Sequence, residues 1–390
     1  MTRPVLRTRI CDLLGMEYPI LLAGMGPAAG GVGPAATAPL VAAVSEAGGL
    51  GVIGGTGFSA DDLRQEIRQV RERTSKPFGV DLLFPSNVAP MPKPANGGAR
   101  SWRDLVPQQC WDALDELRRQ FNLPTLPPRD RERESERALR SFRMFDVKAQ
   151  VQVVIEERVP VLASGLGNPE PFIAECHRVG TKVISVVGNV KNARRVAASG
   201  VDAVVAQGTE GGGHTGRIGT LALVPQAVDA VAPVPVIAAG GIADGRGLVA
   251  ALALGAEGVW CGTAFLATRE ANLTDLQKSQ IVAATEEDTR VTRIWSGKTM
   301  RNVTNPLIEA WENLGVKALP MGLQGLMISD LVVSAKVAGR EDLLMNAAGQ
   351  ISGMLREVQP ARDVLAGMVG QAADLLANQM PKRVQTGVVA

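Results

Sequence analysis

A chain of 390 residues with 46% hydrophobic and 21% charged residues has the make-up of a globular protein, and it carries 43 Gly against 8 Phe, 5 Trp and 1 Tyr. With 41 Lys plus Arg against 39 Asp plus Glu, the net charge is +2, which argues against the one-sided cation excess of a nucleic-acid binder. Two domains of about 150 residues or one α/β barrel of about 200 to 400 both fit this length.

The N-terminal segment has basic residues but no apolar core of signal-peptide length, and no run reaches the roughly 18 apolar residues of a membrane span. The expectation is a cytoplasmic protein with no membrane partner. Cys11, Cys110, Cys176 and Cys261 are scattered, without a C-x-x-C or Cys/His cluster, so neither a metal site nor a disulfide framework is expected.

A strand is predicted over 19–23, followed by a turn containing Gly24, Gly26, Gly30 and Gly31 and a helix over 40–47. Strand 50–53, helix 60–73 and strand 78–82 come next. Composition then shifts: from 85 to 148 a Pro-rich stretch, APMPKPANGG, gives way to PPRDRERESERALR, which reads as solvated helix. Residues 85–134 are taken as an insertion after the third strand, long enough to fold over a site as a lid. The regular texture resumes with helix 136–157, strand 160–163, helix 169–178, strand 182–187, helix 190–198, strand 203–206, helix 223–231, strand 234–238, helix 246–254 and strand 258–261. Beyond 275 the chain reads as helical and packed beside the preceding domain.

The eight strands are continuous apolar runs, the mark of strands buried on both faces. Eight strand–helix units predict an α/β fold, a (β/α)8 TIM barrel formed by 1–84 and 135–275, with no exposed edge. An open doubly wound sheet uses the same units, but no strand is followed by G-x-G-x-x-G with an acidic residue about 20 positions on.

In such a barrel the site lies at the carboxyl ends of the strands, with phosphate held by the loops after strands seven and eight. After strand seven, Ala239 leads into Gly240 and Gly241, whose N–H groups can approach an anion unobstructed, and Asp244 reads as the cap of the next helix. After strand eight, Gly262 and Thr263 add amides and a hydroxyl. Tight turns alone would explain any single one of these glycines. After strand six comes QGTEGGGHTGRIGT, where Gly211, Gly212 and Gly213 would let the backbone lie against a planar ligand beside His214, one of only 2 His in the chain. An imidazole there can take or give a proton. His177 falls late in a helix and is given no catalytic role. Glu210 as acid or base, Arg217 as anion clamp, Gln207 inward or outward, and Asp81 as cofactor acceptor or turn residue all stay open.

PILLAGM, GGLGVIGG, FGVDLLF, AQGTEGGGHTGRIGT and VIAAGGIADGRGLVAALALGAEGVWCGTAFLATREA, in this order, resemble the nitronate monooxygenase (2-nitropropane dioxygenase-like) family over most of 10–275. The resemblance implies FMN as cofactor, its phosphate on Gly240, Gly241, Gly262 and Thr263. It puts the flavin ring near Ala23, Gly24 and Met25 and beside Asp81 and Gln207, with His214 as catalytic base. It also implies a reaction in which a nitronate reduces FMN by one electron and ends, with dioxygen, as a carbonyl compound and nitrite. Related flavin enzymes on the same barrel, using NAD(P)H to reduce enoyl thioesters or quinones or dehydrogenating acyl-CoA, are the alternative. A homo-oligomer is compatible with either. Two departures stand out: members often carry Asn at Asp81, and some carry Lys where this chain reads Val186, Val187 and Gly188.

Overall fold

The computed structural model of the protein describes residues 4–27, 33–84, 102–127 and 146–384. All eight predicted strands form: β1 (Ile20–Leu22), β2 (Gly51–Gly54), β3 (Phe78–Phe84), β4 (Val161–Gly167), β5 (Lys182–Val187), β6 (Ala203–Gln207), and, after a two-residue strand β7 (Gly213–His214), β8 (Val236–Ala239) and β9 (Gly258–Cys261). They pair in parallel in the order β1-β9-β8-β6-β5-β4-β3-β2. A parallel bridge between Leu21 and Leu50 joins the two ends, with Leu22 N–H donating to Leu50 O at 2.9 Å. This is a TIM barrel, and it leaves no strand edge open to pair with another chain.

Side chains along each strand alternate between two apolar clusters. Ile20, Leu22, Ile53, Val80, Leu82, Leu162, Val204, Ala206, Val236, Ala238 and Val259 pack outward against the helices. Leu21, Val52, Val161, Ala163, Ile184, Val205, Ile237, Ala239 and Trp260 fill the interior, closed at its amino end by Ile10, Cys11 and Leu14 of the helix Arg9–Leu14. Burial on both faces is why the strands read as unbroken apolar runs. The alternation also settles a register that the sequence leaves open. Gln207 shares the parity of Val205, and Asp81 the parity opposite to Val80 and Leu82, so both polar side chains belong to the interior row.

The barrel helices form at Ala38–Glu46, Ala60–Arg73, Glu170–Arg178, Val190–Ala198, Thr220–Val231 and Gly245–Ala253, within three residues of their predicted bounds. Side-chain caps fix several starts: Ser59 accepts from Asp62 N–H at 3.2 Å and Asn189 from Asn192 N–H at 2.8 Å. The helix predicted over 136–157 is seen as Val147–Glu156, and its earlier part lies outside the described residues. The Pro-rich and charged stretches of the insertion, 85–101 and 128–145, also lie outside them.

Within the insertion, the described part is a short turn of helix, Trp102–Leu105, and the helix Gln108–Gln120. Trp102, Cys110, Leu114 and Leu117 share one buried cluster with Ile294, Trp295, Trp311, Met327 and Leu331, all from the segment beyond 275. Arg103 stacks on Trp102 and Trp111 and reaches the buried Asp330 at 2.7 Å. The segment beyond 275 differs from the helical expectation in one respect. Besides the helices Asp275–Ala283, Pro306–Asn313, Leu323–Val337 and Ala361–Asp374, it holds an antiparallel hairpin, β10 (Thr289–Thr292) and β11 (Met300–Val303). Each strand is four residues long, too short for alternation to stand out, and β11 pairs in addition with β7, which comes from a barrel loop far earlier in the chain.

Candidate active site

The predicted residues meet at the carboxyl end of the barrel in contacting groups. In the first, a Cβ on Gly24 would lie 2.1 Å from Asp81 Cβ, and one on Gly262 would lie 3.5 Å from both Ala23 Cβ and Met25 Sδ. The turn after β1 therefore packs directly on the third strand and on the loop after β9, which is what Gly24 and Gly262 permit. Asp81 is buried and its Oδ1 has no hydrogen-bond partner, although the Gly165 N–H reaches its carboxyl group. Burial outweighs that bond and pushes the carboxyl up from 3.8 to about 8, so at neutral pH it is mostly protonated.

The second group is the loop after β6. Gln207 Nε2 donates to His214 O at 2.7 Å, and Gly211 lies against the Gln207 side chain. His214 is half-buried, because β7 pairs antiparallel with β11, setting His214 opposite Met300 and Gly213 opposite Arg301. Its Nε2 lies 2.9 Å from Ser296 Oγ in the turn between β10 and β11. Burial, reinforced by the Lys298 charge, lowers its pKa from 6.5 to about 4. The ring is therefore neutral at physiological pH and able to accept a proton.

The third group is the pair of turns after β8 and β9. Gly240 and Gly241 are consecutive left-handed residues, with φ of 90° and 74°. A Cβ on Gly240 would lie 2.8 Å from Gly208 O. Among the described residues no carbonyl or side chain takes either N–H. Adjacent unpaired backbone donors of this kind suit a phosphate. Thr263 Oγ1 accepts from Gly349 N–H at 2.9 Å, which leaves its own proton to donate.

Two sequence readings resolve differently. Glu210 directs its carboxylate to Thr220, accepting from N–H at 2.9 and 3.0 Å and from Oγ1 at 2.9 Å, so it caps the helix Thr220–Val231 and is not an acid or base for His214. Arg217 is exposed. Gly212 has a packing reason of its own, since a Cβ there would lie 2.7 Å from the carbonyl carbon of Ala348. Asp244 does cap its helix, accepting from Arg246 N–H at 2.9 Å. The next amide, Gly245 N–H, is spent on Gln371 Oε1 at 2.7 Å, so that helix end is closed by the C-terminal helix.

Sequence reasoning missed every contribution from beyond 275. Ser296 bonds His214 and Lys298 acts on it through its charge, the buried Arg301 donates from Nε to Thr209 O at 3.1 Å, and the Gly349 and Gln350 N–H groups bond Thr263 Oγ1 and the Glu210 carbonyl. No motif spacing links these residues to the loop they support.

Comparison with known proteins places the chain in a family. A sequence model of the nitronate monooxygenase family matches residues 7–371. A Mycobacterium tuberculosis protein carrying a monooxygenase description is 37% identical over 380 residues, covering 95% of this chain and 97% of the relative. A probable nitronate monooxygenase of Staphylococcus aureus is 33% identical over 381 residues, covering 95% and 98%. Among solved structures, FabK from Thermotoga maritima superposes with a TM-score of 0.72 at 33% identity, covering 97% of this chain and all 100% of that one. Nitroalkane oxidase from Streptomyces ansochromogenes gives 0.72 at 29%, covering 94% and 99%. With the barrel, the backbone cradle and a neutral histidine at its mouth, the chain belongs to the nitronate monooxygenase family of flavin-dependent oxidoreductases.

Proposed function

We propose that the protein binds FMN at the carboxyl end of the barrel and oxidises alkyl nitronates with dioxygen to a carbonyl compound and nitrite. The flavin part of this reading is carried by the adjacent left-handed Gly240 and Gly241 at the barrel mouth, and proton transfer from neutral nitroalkanes by His214, a neutral imidazole held there by a hairpin from outside the barrel. The unpaired Gly240 and Gly241 amides and the Thr263 hydroxyl fit a terminal phosphate. The orphaned Asp81 Oδ1 fits a polar edge of the flavin ring, and Gly24 keeps the space beside it free of a side chain. Gly262, Ala23 and Met25 line the same end, while Gln207, bonded to the His214 carbonyl, and Ala239 complete the interior row beneath. Gly212 and Gly213 carry His214 into position.

When bound, FMN supplies the one-electron chemistry by which a nitronate and dioxygen react. The chain's own part is to bind, orient and move protons. For a neutral nitroalkane, His214 accepts the proton from the carbon bearing the nitro group, which leaves the nitronate. A preformed nitronate needs no such step.

The protein as purified should be yellow and release FMN on heating. Colourless protein that cannot be reconstituted with FMN would remove the cofactor assignment. Anaerobic mixing with a nitronate should reduce the flavin, read as a change in its absorbance; rapid bleaching by NADH or NADPH alone would instead make the protein a nicotinamide-dependent reductase.

A further inference from the structure

We propose that Ser296 is a positioning residue for His214, holding the imidazole with its proton on Nε2 and leaving Nδ1 as the nitrogen that accepts a proton. The proposal rests on the reading of His214 as a base for its consequence in turnover, but the proton placement stands or falls on its own.

A serine hydroxyl has one proton to give and two lone pairs to receive. Ser296 Oγ has three neighbours: Met300 Sδ at 3.1 Å, His214 Nε2 at 2.9 Å and Lys298 N at 3.3 Å. A thioether sulfur carries no proton and accepts only weakly, so an oxygen this close to it is best accommodated with its own hydroxyl proton between them. The Lys298 amide brings its own proton to the first lone pair. Only a lone pair remains for Nε2, and the ring nitrogen has to supply the proton of that bond. Turning the hydroxyl toward Nε2 instead would leave oxygen and sulfur lone pairs facing each other at 3.1 Å. A histidine's tautomer is set by the bond that one of its nitrogens makes. Among the described residues nothing bonds Nδ1.

The surroundings make Ser296 stiff enough for this task. Gly297 follows it with φ of 81°, and its N–H bonds Arg293 O at 3.0 Å. A Cβ on Gly297 would lie 2.2 Å from Leu319 O, so the turn is pressed onto the chain behind it. Met300 is both the acceptor of the Ser296 proton and the residue opposite His214 in the ladder. Ring and backbone of His214 are thus referenced to the same hairpin. Lys298 belongs to the same turn, and its charge opposes formation of the imidazolium.

The chain has only 2 His, so ring nitrogen NMR of histidine-labelled, flavin-loaded protein at pH 7 shows two imidazoles, and His177→Gln assigns them. The expected result is that His214 carries its proton on Nε2 in the wild type and in Ser296→Thr, which keeps the hydroxyl. Ser296→Ala should show both tautomers in exchange. In turnover, Ser296→Ala should lose roughly tenfold on a neutral nitroalkane, a part of the about 10²- to 10⁴-fold that a general base supplies. It should stay within about twofold on a preformed nitronate, and Ser296→Thr should restore the loss. A wild-type proton on Nδ1, or an unchanged tautomer in Ser296→Ala, would overturn the proposal. If the tautomer is as stated but His214→Ala lowers nitroalkane and nitronate turnover equally, the base reading fails and the positioning contact survives.

Discussion

The two regions that meet at the barrel mouth contribute by different means. The loops after β8 and β9 offer backbone: paired left-handed glycines with unpaired amides, and a threonine hydroxyl. The β10–β11 hairpin offers side chains, Ser296 and Lys298, that set the protonation and orientation of a residue on the barrel. A cradle for a phosphate has to be built from close backbone approach, so it rests on glycine. A neutral, oriented base needs a second element to bury it and bond its ring, and here that element comes from a different part of the chain.

This division can be tested by attacking each side. The largest effect is expected on the base: His214→Ala should lower kcat/KM for a neutral nitroalkane by about 10²- to 10⁴-fold while sparing a preformed nitronate. Steady-state assays with the two substrate forms check this, and equal losses would contradict it. On the cradle side, Gly240→Ala puts a Cβ 2.8 Å from Gly208 O at a φ of 90°. It should weaken FMN binding by about tenfold or more, since a left-handed conformation costs a side chain about 1–2 kcal/mol before the close contact is counted. Equilibrium dialysis measures it, and unaltered affinity would argue that the phosphate lies elsewhere.

Asp81 gives a smaller effect with a definite sign. Its carboxyl is raised to about 8 in the fold, so between pH 4 and pH 8 the folded chain without flavin holds a proton that the unfolded chain has released. The folded state binds more protons across that window, and its stability therefore falls as pH rises. Asp81→Asn removes the titration and should stabilise the flavin-free protein, increasingly from pH 5 to pH 8. Parallel melting curves for the two proteins over that range would contradict the burial of this group.

Neighbouring glycines in the His214 loop provide the finest contrast. Gly212→Ala should cost about 1–3 kcal/mol, because its Cβ meets the Ala348 backbone at 2.7 Å. Gly213→Ala meets nothing within 4 Å and should cost only the roughly 1 kcal/mol of its φ of 70°. Denaturant midpoints for both would show which constraint is steric.

The barrel was legible because eight apolar runs and their Gly-containing turns are local patterns. The turns Gly240–Gly241 and Gly262–Thr263 were legible for the same reason, being short and falling at strand ends. Gln207 needed the strand parity that only packing shows. The packing of Gly212 against Ala348 and Gly349 has no trace in the composition of the His214 loop. The sequence leaves the role of Glu210 open, and only the fold shows its carboxylate turned to Thr220, ten positions on. Ser296 left no local signal at all, since its meaning depends on a pairing between β7 and β11 across a long stretch of chain.

The β10–β11 hairpin helps keep His214 neutral and ready to accept a proton below the usual pKa of histidine. The pH dependence of kcat/KM for a neutral nitroalkane reports the free enzyme's essential base, with a preformed nitronate as the control for other titrations. Burial and Lys298 hold His214 at about 4 in the flavin-free chain, so the acid limb of the profile should fall well below 6.5. A limb near 6.5, the ordinary value for an imidazole, would show that the hairpin does not govern the base.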